Sequence, residues 1–236
     1  MQGLLLVDKP TDWTSFDVVN YVRRIVAGVE GKKPKNCKVG HTGTLDPFAT
    51  GLLVLLIGKE YTRRAGELSK LDKTYEITML LGQTSTTGDP EGEITAVNDS
   101  QPSGEAIAEA LPQFTGPIMQ VPPAYSAIKI NGVRAYKMAR DGKEVVIQPR
   151  PVTIRRLELV SYNYPEVKLI AEVSSGTYIR TLVEDLGGVI GCGAYTTALR
   201  RTTVGEFKLS DAVLKDDVAA ETLEARLQTL KYETSF

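Results

Sequence analysis

The sequence contains very few of the side chains that build metal sites. Its 236 residues include one histidine, His41, and two cysteines, Cys37 and Cys192, which lie far apart. Neither a CxxC nor an HExxH spacing occurs, whereas a zinc site needs three or four such ligands held close together. The sequence therefore argues against a structural or catalytic zinc site.

Long hydrophobic runs are also missing. The N terminus, MQGLLLVDKP, carries a short apolar run without the basic residues that open a signal peptide. The longest apolar block, LLVLLI at residues 52–57, is far shorter than the roughly 20 residues that a membrane-spanning helix needs. We therefore expect a cytoplasmic protein that does not contact a membrane.

The sequence has no overall excess of positive charge, because 28 Lys and Arg stand against 29 Asp and Glu. A role in nucleic-acid binding must therefore come from local patches. Residues 23–38 carry a net charge of +5 and residues 129–156 one of +6. Residues 84–110 carry −6, and the acidic residues before the strand at 94–97, Asp89 among them, are expected to lie in a solvated loop. Tyr125 and Tyr136 accompany the second basic segment, which favours contact with RNA or DNA phosphates over an ordinary solvated face.

Hydrophobic periodicity predicts a mixture of strands and helices without a regular βαβ order. This mixture indicates an α+β fold with a mixed sheet. The expected strands are residues 3–7, 52–57, 73–81, 94–97, 126–130 (before an Asn131-Gly132 turn), 152–160 and 167–173. The first expected helix starts at a Thr14 or Ser15 cap and has Phe16 on its apolar face. A second helix is expected to be capped by Ser103. The other expected helices cover residues 62–69, 135–140, 178–186 (ended by Gly187-Gly188) and 211–230.

Two short segments have the composition of functional loops. GHTGTLDP at residues 40–47 places one carboxylate, Asp46, among small residues just before the buried strand, although an ordinary Asp-Pro turn fits the same letters. In TYIR at residues 177–180, Arg180 falls in the first turn of a helix, where a cation opposes the helix dipole and suggests an anionic partner. A local pair with Glu184 explains that arginine equally well.

Six segments in the same order resemble the TruB family of tRNA pseudouridine synthases, which isomerise a T-loop uridine of tRNA. They are LLLVDKPTDWTSFDVV, GHTGTLDPFATGLL, DKTYEITMLLGQTSTTGDPEG, PPAYSAIKINGVRAYKMARDG, SSGTYIRTLVEDLG and ALRRTTVG, running from Gly3 to about Phe207. The resemblance implies a pseudouridine synthase domain over residues 1–210, with a mixed, mainly antiparallel sheet flanked by helices. An RNA-binding thumb is implied at about residues 123–151.

Matched position by position, the resemblance also implies site residues. Asp46 corresponds to the catalytic aspartate, Tyr75 to the active-site tyrosine and Arg180 to the arginine that pairs with the aspartate. The implied substrate-binding residues are Lys9, which braces the region, His41, which helps to hold the substrate loop, and Tyr178 and Leu199, which line the base pocket.

The implied reaction needs no metal or organic cofactor, and its implied partner is the T-arm of tRNA, bound by a monomer without an obligate protein partner. Two other functions remain open at this point: a noncatalytic RNA-binding module and a glycosidase. A glycosidase normally uses two carboxylates, whereas these motifs nominate only Asp46.

Many family members continue into a small C-terminal PUA domain. Here residues 211–236 are expected to form only a short helical extension, and residues 206–233 carry a net charge of −3, which is unsuited to gripping phosphates. We therefore expect recognition of tRNA to rest on the T-arm alone.

Overall fold

The computed structural model describes residues 1–126, 128–130, 132–142 and 145–230, without the side chains of Lys129, Arg134 and Arg140. These residues form two units. Unit 1 consists of Met1–Lys73 together with the chain from Arg200 onward, and unit 2 of Thr74–Leu199.

The strands and helices follow in chain order. The strands are β1 (Gly3–Lys9), β2 (Val39–His41), β3 (Thr50–Ile57), β4 (Lys73–Leu81), β5 (Gln83–Ser85), β6 (Ile94–Ala96), β7 (Gly116–Gln120), β8 (Lys129–Ile130), β9 (Val133–Arg134), β10 (Arg150–Asn163), β11 (Glu166–Val173), β12 (Ala194–Val204), β13 (Phe207–Lys208) and β14 (Val213–Leu214). The helices are α1 (Ser15–Val29), α2 (Lys59–Arg63), α3 (Ala65–Leu68), α4 (Gly104–Ala110), α5 (Ala135–Arg140), α6 (Ile179–Ile190) and α7 (Leu223–Arg226), with short 3-10 turns at Pro34–Asn36, Leu111–Phe114, Leu209–Asp211 and Lys215–Asp217.

The sheet of unit 1 is mixed and is organised around β3. Strand β1 runs antiparallel to β3 along its whole length and parallel to β14. On its other side, β3 pairs antiparallel with β2 through Ile57 to Leu55 and parallel with β12 at Thr50 and Gly51. The predicted α+β class with a mixed sheet is confirmed.

Both faces of the β1–β3 ladder are buried, which explains why their sequences are apolar at consecutive positions. Leu5, Val7, Leu53 and Leu55 pack against α1, whereas the intervening residues pack against a second cluster that includes Leu68 and Phe207. Alternate side chains of a strand point to opposite faces, so a run such as LLVLLI fills two cores at once.

Helix α1 begins where the sequence predicts. Thr14 is the N-cap, and it forms a capping box with Asp17 in which each side chain bonds the other residue's backbone N–H. The predicted apolar face is wrong at one position, because Phe16 is 60% exposed. The buried face is instead formed by Val18, Val19, Val22 and Val26.

Unit 2 contains the strand order β12, β4, β11, β10, β7, together with two small hairpins, β5–β6 and β8–β9. The long strand β10 runs antiparallel to both β11 and β7. Strand β4 shows the predicted alternation, with Tyr75, Ile77, Met79 and Leu81 buried. Helix α4 begins at its predicted cap, because Ser103 accepts the backbone N–H of Ala106.

Helix α6 continues past the predicted stop at Gly187-Gly188 and ends at Gly191, which adopts a left-handed φ of 88°. Gly187 does not end the helix but allows it to pack closely against a neighbouring strand. A Cβ atom at this position would lie 2.4 Å from the backbone nitrogen of Ala194, at the start of β12. The glycine therefore permits a close approach between helix and strand.

The expected helix over residues 211–230 does not form. The segment instead contains two 3-10 turns, the short strand β14 and the one-turn helix α7. Val213, Val218 and Leu223 are buried in the same core as β1 and α1. These apolar residues have a helix-like spacing because each of several successive short elements buries one side chain. The prediction of a single helix was therefore wrong.

Other local predictions differ from the structure in extent. The helix expected at residues 62–69 is divided into α2 and α3, whose boundary lies at Arg64. Of the strand expected at residues 126–130, Lys129–Ile130 forms β8; Asn131 of the predicted turn lies outside the described residues. In the described part of the chain, no helix is long and apolar enough to cross a lipid bilayer.

The close approach at Gly187 gives a testable pair of variants within one helix. Gly187→Ala is expected to destabilise the protein by about 1–3 kcal/mol because a methyl group there overlaps the β12 backbone. Gly188→Ala meets nothing within 4 Å and is expected to stabilise α6 by about 0.5–1 kcal/mol. Urea unfolding at neutral pH measures both, and equal effects of the two variants would contradict the packing role.

Candidate active site

Asp46 lies in unit 1 on a loop, residues 42–49, that contains neither helix nor strand. The loop connects β2 to β3, and β2 and β12 pair with the two ends of the same side of β3. The chain leaving β2 therefore turns beside β12. An irregular loop of this kind cannot bond its own backbone as a helix or strand does, so other residues must supply partners.

Ser15, the first residue of α1, bonds both polar backbone groups of Leu45. Its hydroxyl oxygen accepts the Leu45 N–H at 2.8 Å and donates to the Leu45 carbonyl at 3.1 Å. Ser15 is buried, so these bonds form away from competing water. The residue before Asp46 is thereby attached to the start of α1.

Lys9, at the end of β1, holds the other side of Asp46. Its side chain has no exposed surface, and its Nζ donates to the carbonyls of Pro47 (3.1 Å), Pro10 (2.8 Å) and Trp13 (2.6 Å). Three acceptors match the three donors of an ammonium group. Lys9, for which the family resemblance implies a bracing role, therefore bonds main-chain carbonyls, including that of the residue after Asp46.

The charge of Lys9 responds to Asp46. Burial lowers the pKa of Lys9 to about 8, and the negative charge of Asp46 opposes this shift. A group with a pKa of about 8 is mostly protonated at neutral pH, so Lys9 provides positive charge close to the Asp46 carboxylate. A cation near a carboxylate favours the ionised form of that carboxylate.

His41, the last residue of β2, is held as a neutral imidazole. Its Nδ1 accepts the backbone N–H of Gly43 at 3.2 Å, so the ring proton lies on Nε2. Burial lowers the pKa of His41, and the charge of Arg201 lowers it further. The ring therefore presents an Nε2–H donor at neutral pH.

The other four predicted site residues belong to unit 2. Tyr75 on β4 is 7% exposed, and Leu199 on β12 is similarly buried. Tyr178 is the N-cap of α6, and Arg180 lies in the first turn of that helix, as predicted. Asp46, Lys9 and His41 therefore all belong to unit 1, where Lys9 lies within electrostatic reach of Asp46, and Tyr178 lies next to Arg180 in unit 2.

Arg180 forms an ion pair that the sequence analysis missed. Its Nη1 lies 3.2 Å from Oδ2 of Asp89, and the two side chains are 4% and 6% exposed. Arg180 also donates to the carbonyls of Thr87 (2.7 Å) and Tyr125 (2.9 Å). Asp89 was expected in a solvated acidic loop, so that expectation is wrong for this residue.

Asp89 is itself fixed by the tight turn in which it lies. Its Oδ1 accepts the Thr87 hydroxyl at 2.6 Å and the Glu91 backbone N–H at 3.0 Å. Glu184, one helical turn after Arg180, is half-buried; burial raises its pKa and the Arg180 charge lowers it. A GDPEG segment is a turn signal, but nothing in its letters identifies Arg180 as the partner of the aspartate.

Gln120 is a second unit 2 residue that the sequence analysis missed. Its side-chain oxygen accepts the Tyr178 N–H at 2.8 Å, and its Nε2 donates to the Tyr178 carbonyl at 3.0 Å. Gln120 is buried at the end of β7 and thus fixes the residue at which α6 begins. A buried glutamine that ends a strand is a weak signal, because its partner lies 58 residues away.

Metal-ligating side chains do not cluster in the described structure. Among residues 1–126, 128–130, 132–142 and 145–230, no group of three or more His, Cys, Asp and Glu side chains is arranged to hold a metal ion.

Comparison with known proteins gives matches along most of the chain. Residues 31–179 match the N-terminal domain of the TruB family pseudouridylate synthases, and residues 180–231 match the C-terminal domain described for tRNA pseudouridylate synthase B. The chain is 46% identical to tRNA pseudouridine synthase B of Aeromonas salmonicida over 88% of its own length and 62% of that protein. It is 45% identical to the protein of the same name from Burkholderia mallei over 96% of its length and 72% of that protein.

Two solved structures also match most of the chain. A chain in the crystal structure of a Cbf5-Nop10-Gar1 complex matches with a TM-score of 0.69 and 27% identity, over 91% of this chain and 53% of that chain. A chain in the archaeal box H/ACA sRNP Nop10-Cbf5 complex matches with a TM-score of 0.65 and 25% identity, over 91% of this chain and 52% of that chain. This chain therefore spans about half the length of those structural relatives.

The bracing role of Lys9 predicts a loss of stability on its removal. Lys9→Met leaves three buried carbonyls without their donor and is expected to lower the free energy of unfolding by roughly 1–3 kcal/mol. Lys35→Met, at an exposed lysine of the same unit, is expected to change it by less than about 0.5 kcal/mol. Urea unfolding at pH 7 compares the two, and a Lys9 variant as stable as the Lys35 variant would exclude the brace.

Proposed function

The chain belongs to the TruB family of pseudouridylate synthases, and we propose that it converts uridine to pseudouridine in the T loop of tRNA. The observation that carries this proposal is the fixed position of Asp46. Ser15 bonds the residue before it and Lys9 the residue after it, so the backbone that carries the carboxylate is held on both sides within an otherwise irregular loop. Such preorganisation is what a reacting carboxylate requires.

The proposed reaction is an isomerisation within one nucleotide. The C1′–N1 bond breaks, the detached uracil turns, and C1′ bonds to C5; C5 then loses its proton and N1 gains one. Asp46 acts either as a nucleophile at C1′ or as the base that removes the 2′ proton on the way to a glycal intermediate. Both routes need an ionised carboxylate, and the positive charge of Lys9 favours that state.

The target uridine must leave the stacked T loop to reach Asp46, which costs a few kcal/mol of unstacking. We propose that the ring of Tyr75 stacks on the extruded uracil and that its hydroxyl takes part in removing the C5 proton. Leu199 and Tyr178 line the base pocket in this account. The Nε2–H of neutral His41 is a donor for holding the substrate loop.

Arg180 is proposed to act on Asp46 as well as on Asp89. Asp46 lies in unit 1 and Arg180 in unit 2, so the pairing is an inference from the family resemblance. The described contacts of Arg180 with Asp89, Thr87 and Tyr125 support a fixed guanidinium, which is the property that an electrostatic partner of a reacting carboxylate needs.

The T-arm backbone is proposed to bind the basic segments. Lys137 in the proposed thumb and Arg150, Arg155 and Arg156 on β10 are exposed, as phosphate contacts require. Of the other cations of this segment, the side chains of Lys129, Arg134 and Arg140 and the whole of Lys143 lie outside the described residues. A monomer acting on tRNA in the cytoplasm is the form that we propose.

Replacement of Asp46 tests the proposed chemistry. Asp46→Asn is expected to lower turnover at least about a thousandfold because an amide neither attacks C1′ nor accepts the 2′ proton. Affinity for a T-arm RNA hairpin is expected to change by less than about threefold, a shift well under 1 kcal/mol. The assay is tritium release from hairpin RNA labelled at uridine C5, with carbodiimide mapping of the product.

Asp99→Asn is the matched control, since Asp99 is exposed and far along the chain from the Asp46 loop. It is expected to retain wild-type turnover. If the wild-type protein binds the hairpin but releases no tritium, a noncatalytic RNA-binding role replaces the proposal. If Asp46→Asn turns over normally, the assignment of the carboxylate is wrong.

The two proposed roles of Tyr75 predict different results for two substitutions. Tyr75→Phe keeps the ring and removes the hydroxyl, so it is expected to retain hairpin affinity while tritium release slows at least about a hundredfold. Tyr75→Leu removes the ring as well and is expected to weaken hairpin binding by losing a base stack worth about 1–3 kcal/mol. Normal tritium release by Tyr75→Phe would remove the hydroxyl from the mechanism.

A further inference from the structure

Arg201 on β12 is a buried cation to which neither the sequence motifs nor the family comparison assigns a role. Its side chain is 1% exposed. Its guanidinium donates to the carbonyls of Leu52 (2.8 Å) and Gly43 (3.1 Å), and at the long limit of 3.5 Å to that of Thr44. Two of these carbonyls belong to the loop that carries Asp46.

The backbone of Arg201 is held as firmly as its side chain. In the parallel pairing of β12 with β3, Arg201 lies opposite Gly51, the second residue of β3. Gly51 has a φ of 101°, and a Cβ atom there would lie 2.3 Å from the Arg201 carbonyl oxygen. The strands β3 and β12 therefore approach closely where the loop leads into β3. Both the backbone and the guanidinium of Arg201 have close contacts there.

With Arg201 included, the backbone of the loop has partners on both sides of Asp46. Arg201 bonds the carbonyls of Gly43 and Thr44, Ser15 bonds both polar groups of Leu45, and Lys9 bonds the carbonyl of Pro47. Each partner comes from a different element, namely β12, α1 and β1. Removal of one partner leaves a buried carbonyl unsatisfied and frees one part of the loop.

Arg201 also lies within electrostatic reach of His41. The N–H of Gly43 bonds the His41 ring. A Cβ atom added to Gly43 would lie 3.6 Å from Nη1 of Arg201 and 3.6 Å from Cε of Lys73. Lys73 at the start of β4 and Arg201 on β12 therefore both lie beside this turn. The positive charge of Arg201 disfavours a second proton on the imidazole.

We propose that Arg201 is a positioning residue for the isomerisation proposed above: it fixes the backbone from Gly43 to Asp46 and keeps His41 in its neutral, Nε2-protonated form. This proposal rests on the proposed function. The direction of the electrostatic effect agrees, since burial lowers the pKa of His41 and the Arg201 charge is the second cause of that lowering. Lys9 braces the same loop from the other side but is not among the causes acting on His41.

The test uses Arg201→Met and Arg201→Lys, with Arg64→Met as the control. Arg64 is a half-exposed arginine of unit 1 that pairs with Glu67 at 2.7 Å. Because His41 is the only histidine of the chain, ¹H–¹⁵N spectra of the imidazole report its tautomer and pKa without overlap. Turnover and KM come from tritium release on the T-arm hairpin, and thermal unfolding monitors the fold.

Arg201→Met is expected to raise the pKa of His41 toward its usual 6.5 and to populate the second tautomer. Its kcat is expected to fall at least about tenfold, with KM changed by less than about threefold, because the loss affects the geometry of reaction more than RNA binding. Arg201→Lys keeps the charge, so the pKa of His41 is expected to stay near the wild-type value while kcat recovers in part. Arg64→Met is expected to match the wild type in all three measurements.

A folded Arg201→Met protein with wild-type His41 spectra or wild-type kcat would overturn the proposal. If Arg201→Met does not fold, Arg201→Lys provides the test. The proposal would be overturned if Arg201→Lys kept the wild-type kcat although it loses carbonyl contacts. It would also be overturned if the His41 pKa shifted although the positive charge is retained. If the wild-type protein itself releases no tritium, the proposed function fails. The His41 spectra then still test the effect of Arg201 on the histidine.

Discussion

The structure of unit 1 depends on satisfying the backbone of one irregular loop. Residues 42–49 carry Asp46 and have no ladder of their own, so buried side chains from three other elements bond their peptide groups. Lys9 from β1, Ser15 from α1 and Arg201 from β12 provide these bonds. Buried unpaired carbonyls are costly, so the loop has few alternative conformations. The apolar ladder of β1 and β3 is the rigid base from which these side chains reach it.

In unit 2, Arg180 is likewise a buried cation that bonds the backbone of other segments. A buried guanidinium again bonds main-chain carbonyls, those of Thr87 and Tyr125, while Asp89 balances its charge. Gln120 fixes the adjacent Tyr178 through both of its backbone groups. In both units a long, buried polar side chain bonds the backbone beside a proposed site residue and so restricts the position of that residue. Such bonds are strong here because water is excluded.

Short sequence patterns predicted the elements that depend on neighbouring residues. These are the Thr14 cap of α1, the buried strand β3 and the half-buried strand β4. Errors arose where distant contacts decide. Gly187 resembles a helix stop but permits the approach of β12. The site residues came from the family resemblance, whereas Asp89 and Arg201 escaped notice because their partners lie far away in sequence. Strand β12, which carries Arg201, was itself not predicted from the sequence.

The bonds made by Lys9, Ser15 and Arg201 hold the loop around Asp46 in place in the free protein, before RNA binds. Hydrogen exchange of the Leu45 amide in the free protein tests this directly, because that N–H bonds the buried Ser15 hydroxyl. We expect its exchange to be slowed at least about a thousandfold relative to an unstructured peptide, comparable to amides of β3. Exchange of Leu45 at the rate of an unstructured peptide, with protection appearing only after a T-arm hairpin is added, would contradict it.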